Sequence, residues 1–261
     1  MQRLYNLSFN FSTFQLPLHF MKLMIDSGNS FTKVAFFKRK ELLEMEVFTK
    51  LKLNEMRRWI EDRKPIEAAI ISAVANVPTI FTDWLQLHSK KIIFLNSKTL
   101  LPIKNSYQTP ETLGSDRIAG AVGAWKHFKK GPVLSIDVGT CITFDLVNEE
   151  SAYCGGAISP GLQMRFKALY DNTDGLPLIK MSGETPLIGT STADSIKSGV
   201  VNGIVAEIDG MIEKYQAVFP DIQCIITGGD GDFFAKRLKN PIFASPNLVL
   251  VGLNEILDYN L

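Results

Sequence analysis

From residue 21 onward the chain alternates short apolar runs with polar punctuation. Leu23-Met24-Ile25 ends in Asp26-Ser27-Gly28-Asn29-Ser30, and a second apolar run, Val34-Ala35-Phe36-Phe37, follows. That pattern predicts a buried strand, a tight turn and a returning strand, with a third strand over Leu42–Phe48. A charged helix is expected over Leu53–Lys64, with Trp59 and Ile60 on one side and Pro65 helping to end it. Ala68–Ser72 reads as an apolar strand, followed by a small-residue loop through Ser72, Ala73, Val74, Asn76 and Pro78. Pro78–His88 then reads as a helix and Lys91–Leu95 as a strand. Such alternation predicts an α/β layer, with helices against a mixed sheet.

The same pattern then returns. Leu134-Ser135-Ile136-Asp137-Val138-Gly139-Thr140-Cys141 leads into Ile142–Val147, and Asp137 follows Asp26 by 111 residues. Strand pairs through Gly155-Gly156, a helix after Pro160-Gly161, a long helix over Ser191–Phe219 and a strand at Cys224–Thr227 complete the second half. Between the copies lies a helix over Leu113–Lys130, with a small-residue face of Ala119, Gly120, Gly123 and Ala124 and a break at Gly131-Pro132. Small residues at that spacing let another helix approach closely, as at a hinge or an interface between halves. The repeat predicts a duplicated fold with a phosphate site between the halves, divided as 21–118 and 119–261.

Bulk composition narrows this only by exclusion. Of 261 residues, 46% are hydrophobic and 21% charged, and the net charge of +1 offers no electrostatic argument for nucleic acid or an anionic membrane. No run approaches the roughly 20 apolar residues of a membrane span. Cys141, Cys154 and Cys224 show neither metal-ligand spacing nor a disulfide framework, so a reducing cytoplasm is expected. Met1–Phe20 lacks a signal-peptide pattern and reads as an extension from an upstream start, loosely packed or poorly ordered. His19, His88 and His127 are unclustered, and Trp59, Trp84 and Trp125 suit packing better than ligand binding.

Three glycine-bearing strand ends carry the candidate chemistry. Asp26-Ser27-Gly28-Asn29-Ser30-Phe31-Thr32-Lys33 offers a carboxylate, backbone donors, hydroxyls and a lysine, which suit phosphate oxygens. It is not a G-x-x-x-x-G-K-[ST] loop, and an ordinary hairpin turn would explain Asp-x-Gly-Asn by itself. The second copy tips the balance: Asp137 can bind a cation and the Thr140 hydroxyl can meet a phosphate. Gly228-Gly229-Asp230-Gly231 is a third place of close backbone approach. Gly114-Ser115-Asp116-Arg117 differs, because an acid and a base stand together where a helix starts. Asp116 there is either a cap or a group that takes a proton from a hydroxyl, and Arg117 either solvated or a clamp for an anion.

Taken in order and spacing, these residues resemble the type III pantothenate kinases, members of the acetate/sugar kinase, Hsp70 and actin superfamily. The resemblance runs from Met21 to about Asp258. It includes Gly155-Gly156-Ala157-Ile158-Ser159-Pro160-Gly161, Leu176-Pro177, Gly189-Thr190-Ser191-Thr192 with Gly199, and Thr227-Gly228-Gly229. It implies duplicated ribonuclease H-like (actin-like ATPase) domains, mixed sheets flanked by helices, and transfer of the γ-phosphoryl of ATP to pantothenate, the first step of coenzyme A synthesis. Carried over by position, Asp116 is the general base, and Gly114, Ser115, Arg117, Tyr107 and Thr192 form the pantothenate pocket. Asp26, Ser27, Gly28, Asn29, Ser30, Phe31, Thr32, Lys33 and Thr140 contact ATP. Asp137 holds a monovalent cation (potassium or ammonium), magnesium accompanies ATP with Asp26 nearby, and the chain forms a homodimer, with no nucleic-acid or membrane partner. Ser30 stands where the family usually has Thr and Cys141 where it more often has Ala. The rivals are another kinase on the same fold, against which Gly114–Arg117 and Thr192 argue, and a non-catalytic regulator, against which the three aspartates argue.

Overall fold

Period-two alternation sets the architecture seen in the computed structural model, which describes residues 21–49, 52–63, 65–73 and 77–261. β1 (Met21–Ser27), β2 (Phe31–Lys38) and β3 (Glu41–Thr49) form an antiparallel meander. α1 (Leu53–Glu61) leads to β4 (Ile66–Ala73), parallel to β1, and α2 (Thr79–His88) to β5 (Ser89–Phe94), parallel to β4. A connector carrying β6 (Lys104–Asn105) and a 3-10 turn at Pro110–Thr112 reaches α3 (Ser115–Phe128). The meander then recurs as β7 (Val133–Val138), β8 (Cys141–Val147) and β9 (Ala152–Pro160). α4 (Leu162–Asp171) and α5 (Thr192–Val218) precede β10 (Gln223–Thr227), parallel to β7. α6 (Gly231–Ala235) and β11 (Phe243–Ala244) follow, and α7 (Leu248–Tyr259) comes last.

The sheet orders are β3-β2-β1-β4-β5 and β11-β10-β7-β8-β9-β6. Setting aside the short β6, the second is the first over again, strand for strand and sense for sense. The repeated Asp-x-Gly turn is therefore the same corner of two copies of one sheet. The extension Met1–Phe20 and positions Lys64, Val74 and Asn76 lie outside the described residues.

Alternation also decides what each face meets. On β1, Leu23 and Ile25 join Val34 and Phe36 in a core under α1 and α2, while Met24 faces the other way with Ala35, Phe37, Ala68 and Ile70. On β7 and β8, Leu134, Ile136, Ile142 and Phe144 pack under α5, leaving Ser135, Asp137 and Asp145 on the opposite face. Those two inner faces are covered by α3 and α7, which lie between the sheets. Asp26 and Asp137 share the parity of the inner faces, and so both strand ends turn their carboxylates toward α3.

The small-residue face of α3 receives α7. A Cβ on Gly252 would stand 1.8 Å from the Ala119 carbonyl oxygen, and one on Gly123 2.4 Å from that of Leu248, so backbone meets backbone. No helix is predicted over Leu248–Tyr259, where apolar residues dominate and leave only a narrow polar stripe of Glu255 and Asp258. The structure supplies the reason: α7 is buried on both sides, by α3 and by the first sheet, with Leu250, Leu253 and Leu257 fully enclosed. An ion pair between buried Lys22 of β1 and Asp258 of α7 ties the two elements. Trp59 stacks on Phe36 at 5.5 Å and Trp84 on Phe81 at 5.8 Å, in the packing roles expected of them.

Candidate active site

The two repeated turns meet. Ser30 Oγ of the first and Thr140 Oγ1 of the second are 3.4 Å apart, although 110 residues separate them. Between them, at the cleft floor, are the ends of β1 and β7 and the start of α3. Lys33 is the cross-strand neighbour of Asp26, and Ser72 its neighbour on β4. Ser72 Oγ donates to Asp26 Oδ1 at 3.3 Å and lies 2.9 Å from Ser115 Oγ, which joins the first sheet to the helix start.

Asp116 is held by its own helix. Its Oδ1 accepts the Arg117 backbone N–H at 2.8 Å, and a Cβ on Gly114 would come within 2.6 Å of that oxygen. Only glycine at 114 leaves the carboxylate its place. Gly228 does the equivalent for Asp137: its φ is +95°, and a Cβ there would lie 2.5 Å from Asp137 Oδ1 and 2.3 Å from the Val138 carbonyl oxygen. The Asp230 N–H bonds that same carbonyl at 2.9 Å, so the Gly228–Gly231 turn closes over the Asp137 strand end.

The three carboxylates feel one another. Burial, then the neighbouring Asp116, pushes Asp26 up to about 6, against the pull of Lys33 and Ser72. Burial, then Asp116 and Asp26, pushes Asp137 up to about 7, again with Lys33 opposing. A floor of mutually repelling, part-exposed carboxylates is a place that favours cations. Among the described residues no group of three or more His, Cys, Asp or Glu side chains is arranged to hold a metal ion. Magnesium does not need one, since it takes one or two carboxylates together with substrate phosphates and water. The donor set therefore fits a cation that arrives with phosphate.

Other expected residues fall in different places. Gly28, Asn29, Ser30 and Phe31 form the exposed lip of the first turn, and Thr140 the exposed lip of the second. Ser27 and Thr32 face away: both are buried, and their hydroxyls lie 3.1 Å apart. Arg117 is 8% exposed and engaged with Asp145, Nε to Oδ1 at 2.9 Å, while its guanidinium carbon lies 5.9 Å from the centre of the Tyr107 ring. Thr192 is exposed at the first turn of α5, beyond the sheet face opposite α3, and none of the described hydrogen bonds joins it to Tyr107, Asp116 or Arg117. Asp145, Tyr153 and Thr143 were not foreseen. The signal for them was present in β8, where a single Asp stands inside an apolar run and must find a partner. A cavity of about 280 Å³ lies beside the helix start and touches Ser115, Leu113 and Pro110.

Two sheets of identical order, with paired Asp-bearing turns facing across a cleft, define the acetate/sugar kinase, Hsp70 and actin class of fold. Solved structures agree on the fold. A protein from Campylobacter jejuni described as a Baf family transcriptional activator matches with a TM-score of 0.57 at 23% identity, covering 91% of this chain and 98% of that one. An inorganic polyphosphate/ATP-glucomannokinase from Arthrobacter sp. strain KM matches at 0.50 and 14% identity, covering 92% and 99%. Sequence is more specific. The family model described as type III pantothenate kinase matches residues 22–214. Type III pantothenate kinases from Christiangramia forsetii and Cytophaga hutchinsonii are each 44% identical over 241 residues, covering 92% of this chain and 99% and 100% of theirs. The chain belongs to the type III pantothenate kinase family.

Proposed function

We propose that this chain transfers the γ-phosphoryl of ATP to the primary hydroxyl of pantothenate, giving 4'-phosphopantothenate at the start of coenzyme A synthesis. The observation that carries this is the convergence of Asp26, Asp116 and Asp137 on one cleft, from the ends of two equivalent strands and the start of the helix between them. Phosphoryl transfer asks for positioning and charge neutralisation more than covalent chemistry. Asp116 is the group that accepts the hydroxyl proton, for which it needs hydrogen-bond reach and a fixed direction. Its bond from the Arg117 N–H provides the second. The exposed lips Gly28–Phe31 and Thr140 offer backbone donors and hydroxyls to the phosphates, with Lys33 behind them.

Magnesium bound with the nucleotide would be met by Asp26, and would spread the negative charge of the moving phosphoryl group. A monovalent cation, potassium or ammonium, would be held by Asp137. Ser27 and Thr32 contribute through backbone rather than hydroxyl, given the direction of their side chains. Tyr107 and Arg117 belong to the acceptor pocket. We further infer a homodimer working in the cytoplasm; exposed Ile158, Met164, Leu187 and Ile188 on the second half suit a subunit contact. No helix among the described residues is long and apolar enough to cross a membrane.

The test is ADP release with pantothenate and with a panel of sugars and hydroxy acids, run in potassium and again in sodium. Turnover specific to pantothenate and faster in potassium is expected. Turnover with a sugar but not with pantothenate overturns the reading.

A further inference from the structure

Asp145 is 2% exposed in the middle of β8. A buried carboxylate without partners is costly, yet both oxygens of this one are occupied. Oδ1 accepts from Arg117 Nε at 2.9 Å and from the Tyr153 hydroxyl at 2.8 Å, and Oδ2 from Thr143 Oγ1 at 3.0 Å. Arg117 Nη2 is 2.7 Å from the same Oδ1, close enough for ion pairing but out of line for a hydrogen bond.

A guanidinium has two edges that can each serve an anion: the side edge of Nε and Nη2, and the end edge of the two Nη groups. Asp145 takes the side edge. Tyr107 lies over the guanidinium, its own ring laid against the backbone at Gly155. The end edge points away from Asp145; of its two nitrogens, Nη2 is shared with the side edge, where it is ion-paired to Asp145 without an in-line hydrogen bond. Arg117 also follows Asp116 directly, so whatever the end edge holds is tied to the proton acceptor by one peptide bond.

We propose that Asp145, supported by Thr143 and Tyr153, is a positioning residue: it fixes Arg117 by one edge and so presents the other, already oriented, to the carboxylate of the acceptor substrate. This rests on the reading that the acceptor is pantothenate. Asp145 touches no reacting atom. It removes the freedom that a long arginine would otherwise lose on binding, and its charge keeps the guanidinium inside the protein when the acceptor is absent.

The test compares pantothenate with pantothenol, in which an alcohol replaces the carboxylate, read as a substrate or as a competitive inhibitor. In Asp145→Asn the KM for pantothenate should rise by about tenfold or more, on the scale of a charge-assisted hydrogen bond. The constants for pantothenol and for ATP should move less than about twofold. Because Asp145→Asn leaves a buried guanidinium poorly compensated, Tyr153→Phe is made alongside it; it keeps the ion pair and should give a smaller shift, about threefold, in the same direction. An equal loss for pantothenate and pantothenol, or an unchanged KM for pantothenate in both variants, overturns the inference and leaves the functional reading standing. A wild-type chain inactive with pantothenate overturns both.

Discussion

Replacing Gly114 by alanine should remove activity and leave stability almost untouched. At φ −57° and ψ 130° the position is open to any residue, so the backbone feels no strain. The new Cβ would sit 2.6 Å from Asp116 Oδ1. An ordinary C···O approach is about 3.4 Å, so the carboxylate must retreat by about 0.8 Å and give up its bond from the Arg117 N–H. Losing a hydrogen bond at a helix start costs about 1 kcal/mol, and replacing glycine at a compatible site returns about 0.4–1 kcal/mol through the unfolded chain. The two nearly cancel. Catalysis has no such offset, because a misplacement of about 1 Å at a reacting group is worth roughly a hundredfold. ADP release at saturating ATP and pantothenate, read beside thermal unfolding, separates the two quantities. We expect kcat to fall about a hundredfold with the melting temperature within a few degrees of wild type. A variant that keeps kcat within threefold, or that loses activity only in step with unfolding, would refute the claim that Gly114 exists to make room for Asp116.

Three further outcomes follow from the same geometry. Asp116→Asn should abolish phosphorylation while the protein still folds and still binds ATP; near-normal turnover would contradict its role as proton acceptor. Gly252→Ala places a Cβ 1.8 Å from the Ala119 carbonyl and should cost roughly 3 kcal/mol, seen as a lower urea midpoint; an unchanged midpoint would mean the α3–α7 crossing is looser than described. Asp26 and Asp137, raised to about 6 and about 7 from 3.8, make the folded chain bind more protons than the unfolded one between about pH 4 and pH 7. Stability should therefore fall as pH rises through that window, with the penalty complete above it. Without nucleotide or divalent metal the melting temperature should drop from pH 5 to pH 8, and the double variant Asp26→Asn, Asp137→Asn should flatten the slope. A wild-type melting temperature that climbs across that range would show the reverse.

The elements with a clean period were readable from the chain alone. α3 is predicted over Leu113–Lys130 and runs Ser115–Phe128; α5 is predicted over Ser191–Phe219 and runs Thr192–Val218. The Asp-x-Gly repeat locates the cleft because a strand end is a local event, decided by a few consecutive residues. α7 escaped because burial on both sides leaves only a narrow polar stripe by which a helix could be recognised. Asp145 escaped for another reason. Its partner Arg117 is 28 residues upstream on a different element, and nothing local says which buried acid will find which base. The inward or outward direction of Ser27 and Thr32 was set by strand parity, legible in principle once Asp26 is assigned to the inner face.

The C-terminal position of α7 has a consequence for how the protein is made. Lys22 and Asp258 form their ion pair across 236 residues, and the inner face of the first sheet is covered by a helix translated long after the sheet itself. Met24, Ala35 and Ile70 can thus be covered in part by α3 soon after they emerge from the ribosome, but the rest of their cover waits for the synthesis of the entire second half. The first half can pair its strands early but can complete its core only when α7 arrives. Delayed or truncated translation would leave that apolar face open, which makes the nascent chain, rather than the finished enzyme, the form most in need of a chaperone.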